Sequence, residues 1–325
     1  MIESLPDQYR WASELEAPTI APASTVLVCG MGGSGISGDF VRVVTAAEGV
    51  DVRIHKDYGL PAWAEHVRPV VVAVSYSGNT AETLSSVDAA LDYGLPVAVV
   101  ATGGELTRVA GANDLPTVRV PAGMQPRAAL GYLVGAVLRI VAAASPLGDP
   151  VPMLLEAGKE TADLLGVERA GPGHDQARRI ADALAGRLVA VWGSAGPTEV
   201  AAQRWAKQFH ENAKTPAYWS IVPELNHNEL VGWASSHHGL SSTTGLVVLR
   251  DQGEMPEISR RFRLTADLVG PTVQAAVEVW TTGTSVLARS ATASLIGDLV
   301  SVYVAEAAGI DPVPVDILTE LKNRL

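Results

Sequence analysis

The chain has 325 residues, with 24 Lys and Arg against 35 Asp and Glu, for a formal charge of −11. Apolar residues make up 47%, enough for a substantial core, which argues against global disorder. An acidic chain without a clustered Lys/Arg run is a poor nonspecific nucleic-acid binder, because that binding rests on counterion release.

The first eight residues, Met1-Ile-Glu-Ser-Leu-Pro-Asp-Gln8, lack the basic and apolar pattern of a signal peptide. The pattern predicts a helix over 6–17, a strand at 25–29, a helix at 35–48 and strands at 51–54 and 70–74. A helix at 80–93, strands at 96–100 and 117–120, and a long helix at 126–144 follow. The apolar stretch 128–144 contains Arg139 and is short for a membrane span, so a soluble, cytoplasmic protein with no membrane contact is expected. Apolar, β-branched strands alternating with helices predict an α/β fold built on a mainly parallel sheet flanked by helices.

Ser145-Pro-Leu-Gly-Asp-Pro-Val-Pro152 breaks this pattern and sets the expected domains at 1–150 and 151–325. Two helices are read over 154–186, then a strand at 187–193, followed by Ser194-Ala-Gly-Pro-Thr198 and a helix to about Lys214. Strands at 245–250 and 277–280 and helices at 285–308 and 314–325 complete the chain. Gly30 and Gly193, 193 − 30 = 163 residues apart, each head a strand–turn–helix unit, which implies two related halves. Cys29, the single cysteine, rules out a disulfide framework and a CxxC site and reads as a small buried hydrophobe.

Two loops carry the strongest chemical signal. Gly30-Met-Gly-Gly-Ser-Gly35 and Ser75-Tyr-Ser-Gly-Asn-Thr80 each follow an apolar strand and precede a helix. Glycines permit close backbone approach, hydroxyls add uncharged donors, and a helix N-terminus favours an anion, so the pair reads as a pocket for a phosphate monoester. The second half has no counterpart of the serine-rich loop, so one competent pocket is expected. The first loop also fits GxGxxG loosely, with Asp51 as a possible ribose partner, which leaves a nucleotide-dependent oxidoreductase as another reading.

Together with Gln208-Phe-His-Glu-Asn212, Pro223-Glu-Leu-Asn-His-Asn-Glu229 and Leu321-Lys322, these loops resemble the sugar isomerase (SIS) domain, and within it the bifunctional phosphoglucose/phosphomannose isomerase family. The resemblance covers both halves. It implies two SIS subdomains, a homodimer with shared active sites, no cofactor and no metal. It also implies a hexose 6-phosphate substrate, with glucose 6-phosphate or mannose 6-phosphate interconverted with fructose 6-phosphate through an enediol. Carried over to this sequence, Gly32, Gly33, Ser34, Ser75, Ser77 and Thr80 would bind the phosphate end. Glu211 would move the proton between C1 and C2, and His227 would assist ring opening. Arg127 would stabilise the enediolate and Lys322 would contact substrate oxygens.

The residues leave other uses open. Glu211 could form a surface ion pair with Lys207 or Lys214, and Glu224 or Glu229 could pair with His227. A metal reading of the Asn-His-Asn-Glu segment is weak, since there is no HExxH and the adjacent His237 and His238 cannot easily face one ion. Arg127 at a helix start opposes the helix dipole unless an anion is near. Lys322 could be a solvated lysine of the terminal helix. Phe209, His210, Trp219 and the 311–315 segment are expected to shape the sugar pocket. A noncatalytic sugar-phosphate sensor is the alternative function; it would not need Glu211, His227 and Arg127 together.

Overall fold

The computed structural model describes residues 2–234, 243–273 and 275–324. The chain divides into two compact units, one of residues 1–162 and 283–288, the other of residues 163–282 and 289–325. The pair His237-His238 lies outside the described residues. No helix among the described residues is long and apolar enough to cross a membrane.

The first unit is a five-stranded parallel sheet in the order β2-β1-β3-β4-β5. The strands are β1 (Thr25–Cys29), β2 (Asp51–His55), β3 (Val70–Val74), β4 (Val97–Ala101) and β5 (Thr117–Arg119). β1, β3 and β4 are buried throughout, which is why they read as unbroken apolar runs rather than alternating ones. Seven helices belong to this part of the chain: α1 (Leu5–Glu14), α2 (Gly32–Ala46), α3 (Ala64–Val67), α4 (Ala81–Asp92), α5 (Gly104–Ala112), α6 (Leu130–Ala144) and α7 (Val151–Leu165). Small residues let two of them pack closely: a side chain at Gly135 of α6 would strike Ala12 of α1.

The second unit is a four-stranded parallel sheet in the order β7-β6-β8-β9. Its strands are β6 (Leu188–Ser194), β7 (Ala217–Val222), β8 (Thr244–Arg250) and β9 (Ala275–Trp280). The helices are α8 (Pro172–Leu184), α9 (Pro197–Glu211), α10 (Glu229–Ala234), α11 (Pro256–Val269), α12 (Val286–Ala307) and α13 (Asp316–Arg324). Trp192 and Trp233 meet edge to face at 5.3 Å in the core. On the α9 side, the indole of Trp205 donates to the Ala293 carbonyl at 2.8 Å. Its ring covers Gly297, where a side chain would collide with it.

β7, α3, α5, α10 and α11 are elements beyond those expected from the sequence. The Pro126–Ala128 turn and α6 are separate elements, where one helix over 126–144 is expected.

Cys29 is fully buried, as its setting in β1 requires. Burial pushes its thiol up to about 12, against a weaker opposing hydrogen bond with Ser86. An unfolded thiol ionises near pH 8.5–9. Between about pH 9 and 12 the native state therefore holds the extra proton, and stability falls as pH rises, by up to ~1.4 kcal/mol per pH unit. Urea unfolding curves at rising alkaline pH should lose stability faster for the wild type than for Cys29→Ala; parallel losses would refute this.

Candidate functional site

In the first sheet β1 lies between β2 and β3, and the chain direction of winding reverses there. The crevice outside the carboxyl ends of β1 and β3 is therefore the topological switch point, where ligands bind in such sheets. Both glycine–serine loops lie at this point, one leading into α2 and the other into α4. Neither helix, of 15 and 12 residues, has a side-chain N-cap, so no side chain of its own competes with an anion at the helix start.

The loops are built into each other. Ser34 is buried, and its Oγ accepts the Tyr76 amide at 3.0 Å, leaving its own proton to donate. Ser75 is fully buried; its Oγ accepts the Gly78 amide at 3.1 Å and shares a 2.8 Å hydrogen bond with the Thr80 hydroxyl. Ser77 is exposed, with its Oγ accepting the Asn79 amide at 3.3 Å, and Thr80 is half-buried, while Ser75 braces the turn. Gly78 has φ +72 and lies against the Gly103 carbonyl, a position closed to any side chain. Gly32 has φ +50 at the start of α2, with open space on its side-chain face. A side chain on Gly33 would come within 2.9 Å of the Arg127 amide nitrogen. Arg127 is thus carried on a turn packed directly on the first turn of α2, and it is only 7% exposed. These seven residues, Gly32, Gly33, Ser34, Ser75, Ser77, Thr80 and Arg127, are brought together in the first unit.

Asp51 opens β2 and pairs in register with Thr25, at the amino end of the sheet. It accepts the Thr25 hydroxyl at 2.9 Å and holds Arg53. The glycine loop lies at the opposite, carboxyl end, so Asp51 is not the ribose partner that the nucleotide reading needs.

Glu211, His227 and Lys322 belong to the second unit. Glu211 is the last residue of α9 and is half-buried. Lys214 has φ +53, and its ammonium donates to the Glu211 main-chain carbonyl at 2.6 Å and to the Pro314 carbonyl at 2.6 Å. It therefore fixes the end of α9 to the segment preceding α13. The buried face of α9 is held by polar contacts. Arg204 forms a two-bond ion pair with Asp298 at 2.9 and 2.7 Å, and Gln208 donates to the same carboxylate at 2.8 Å. Asn212, next to Glu211, donates to Ser301 at 2.9 Å.

His227 is exposed in a short 3-10 helix, Glu224–His227. The two flanking carboxylates are held by other donors. Glu224 accepts Asn228 at 2.9 Å, while Glu229 accepts the indoles of Trp192 at 3.0 Å and Trp233 at 2.8 Å. The expected His227–carboxylate pairing is thus replaced by contacts that anchor the segment. Burial, then the charge and hydrogen bond of Glu229, push the Tyr218 phenol upward. Lys322 is exposed in the last turn of α13, where a cation suits the helix dipole. Phe209 is fully buried in the core, and the His210 ring contacts Ala217 at 2.8 Å, so these two support α9 and the loop after it.

Residues 173–325 match the family described as the bacterial phospho-glucose isomerase C-terminal SIS domain. A bifunctional phosphoglucose/phosphomannose isomerase from Caldicellulosiruptor bescii is 35% identical over 305 residues, covering 92% of this chain and 89% of that protein. The protein of the same name from Aquifex aeolicus is 31% identical, covering 100% of this chain and 97% of its own length. The chain belongs to the bifunctional phosphoglucose/phosphomannose isomerase family. A solved structure of a hypothetical protein from Thermus thermophilus shares the fold at a TM-score of 0.72 and 15% identity, covering 99% of this chain and 89% of that one.

Within this isomerase family chain, the second sheet repeats the strand–turn–helix frame without its anion chemistry. Gly193 lies against the Thr198 carbonyl, and in the first unit Gly35 lies against the Gly30 carbonyl, so the same pair of positions, 163 residues apart, is in close contact in both sheets. There α9 begins with Pro197, which has no amide donor, and the Ser194 amide is taken by the Thr198 hydroxyl at 2.9 Å. Asp251 follows β8 where Ser75 follows β3, placing a carboxylate where a phosphate would need a donor. Three further residues build the first unit's site beyond those expected from the sequence: Gln8, Tyr76 and Asn79. Asn79 accepts the Glu105 amide at 2.9 Å and ties the serine loop to α5. Their signal was available only for Tyr76 and Asn79, which stand inside the serine motif itself.

Proposed function

We propose that this protein is a cofactor-independent aldose–ketose isomerase that interconverts glucose 6-phosphate and mannose 6-phosphate with fructose 6-phosphate. The observation that carries this reading is 35% identity to a bifunctional phosphoglucose/phosphomannose isomerase along nearly the whole of both chains. The hydroxyl loops at the sheet's switch point support it chemically. Ser34, Ser77 and Thr80, braced by Ser75, and the uncapped turns at Gly32 and Gly33 suit a phosphate dianion in a chain of net charge −11.

In this reading the phosphate is a handle, and the reaction occurs at C1 and C2. His227 assists ring opening. Glu211 takes the proton from one carbon and returns it to the other, so the enediol forms and collapses with no net loss of a proton. Arg127 stabilises the negative charge on the enediolate oxygens, and Lys322 contacts oxygens of the open chain. Glucose and mannose 6-phosphates differ only at C2, which is planar in the enediol, so one base serves both. The protein works as a homodimer, with His227 contributed to the partner's site.

A coupled assay with each hexose 6-phosphate, with and without chelator, tests the reading. Turnover of both aldoses, unchanged by chelator, is expected. Tight binding of fructose 6-phosphate without any turnover would instead identify a noncatalytic sensor.

A further inference from the structure

We propose that Tyr76 and Gln8 are positioning residues for Arg127, clamping the 121–128 segment at both ends so that the arginine turn and the phosphate loop hold one fixed geometry. The inference rests on the reading of Arg127 as the enediolate-stabilising group.

Tyr76 lies between Ser75 and Ser77, yet its side chain points away from both into a buried position, 6% exposed. Its backbone is fixed from two sides. Its amide donates to Ser34 Oγ at 3.0 Å, and its carbonyl accepts the Thr102 hydroxyl at 2.7 Å and the Thr102 amide at 3.0 Å. The phenol then reaches the strand-to-helix connection. It donates to the Pro121 carbonyl at 2.9 Å and accepts the Met124 amide at 3.1 Å. That connection has no regular structure from Pro121 to Gln125 and includes Gly123 at φ +96, so no helix or strand ladder fixes it.

Gln8 of α1 secures the other end. It is fully buried; its Nε2 donates to the Ala128 carbonyl at 2.8 Å, and its Oε1 accepts the Gly131 amide at 2.8 Å. A side chain on Gly131 would come within 2.7 Å of the Gln8 Cβ, so the close approach depends on glycine there. Arg127 is therefore held ahead by Tyr76, behind by Gln8, and from below by the Gly33 backbone. Both functions of the phenol are already engaged, so Tyr76 has no proton-transfer role to play; its work is mechanical. The phosphate loop supplies the hydroxyls that hold the substrate's inert end and, through Tyr76, the frame for the group that meets its reacting end.

The test is kinetic. Tyr76→Phe removes only the two phenol hydrogen bonds. It should lower kcat for glucose 6-phosphate about 10-fold, since displacing a catalytic group by an ångström has effects of this order and larger. Inhibition by inorganic phosphate, which reads the hydroxyl loop alone, should stay within about twofold of wild type, and in an Arg127→Lys background Tyr76→Phe should add less than about twofold. Gln8→Glu, which keeps the acceptor for Gly131 but sets a carboxylate against the Ala128 carbonyl, should behave in the same way. It carries the test if Tyr76→Phe does not fold. Wild-type kcat in the clamp variants beside a crippled Arg127→Lys would overturn the inference alone. Equal losses in both backgrounds would overturn it too, by showing a merely structural role. Wild-type kcat in Arg127→Lys would overturn the reading of Arg127 and this inference with it.

Discussion

Glu211→Gln should abolish isomerisation while leaving fructose 6-phosphate binding nearly intact. The substitution is isosteric and keeps hydrogen-bonding atoms at the end of α9, but an amide cannot accept and return a carbon-bound proton. Loss of a general base costs typically 10²–10⁴-fold, so kcat should fall by roughly three orders of magnitude. The local structure should survive, because the end of α9 is held through other groups. Lys214 binds the Glu211 main-chain carbonyl, and Asn212 is anchored on Ser301. Calorimetry with fructose 6-phosphate and a steady-state assay on one preparation separate the two effects. Normal turnover by the variant would remove Glu211 from the mechanism.

The largest effect on stability is expected at Asp298. Its carboxylate faces Arg204 with side-chain exposures of 4% and 3%, and it also accepts Gln208. Asp298→Ala leaves a buried guanidinium without its counter-charge, a change that typically costs 3–5 kcal/mol. A buried pair need not be stabilising relative to apolar residues of similar size, so the double variant Arg204→Met with Asp298→Leu should recover much of the loss. Thermal melts of the single and double variants check this. A single variant that melts with the wild type would mean that solvent reaches Arg204 freely. Activity should fall along with stability in Asp298→Ala. The lost carboxylate also holds Gln208, which lies on α9 one turn before Glu211.

The fold was legible where burial is uniform. Val70–Val74 and Thr25–Cys29 are buried along their whole lengths and show as unbroken apolar runs. β7 escaped for the converse reason: Ala217–Val222 is an edge strand with Tyr218 and Trp219 partly exposed, between Pro216 and Pro223, so it has neither a continuous apolar run nor a clean alternation. The hydroxyl loops were legible because their chemistry is contiguous in sequence. The supports of Arg127 were not, since the phenol of Tyr76 contacts Pro121 across 45 positions and Gln8 contacts Ala128 across 120. Proximity in sequence misled at His227. Glu229 lies two residues away, but a turn between them directs its carboxylate to Trp192 and Trp233.

The most direct measurement of the central claim is an NMR time course of fructose 6-phosphate with the purified protein in D₂O. Proton transfer between C1 and C2 through an enzyme carboxylate predicts that glucose 6-phosphate and mannose 6-phosphate both appear, with solvent deuterium at C2 in the fraction of turnovers in which the protonated carboxyl exchanges with D₂O before it returns the proton. Fructose 6-phosphate that binds but remains unconverted and unlabelled would contradict the account.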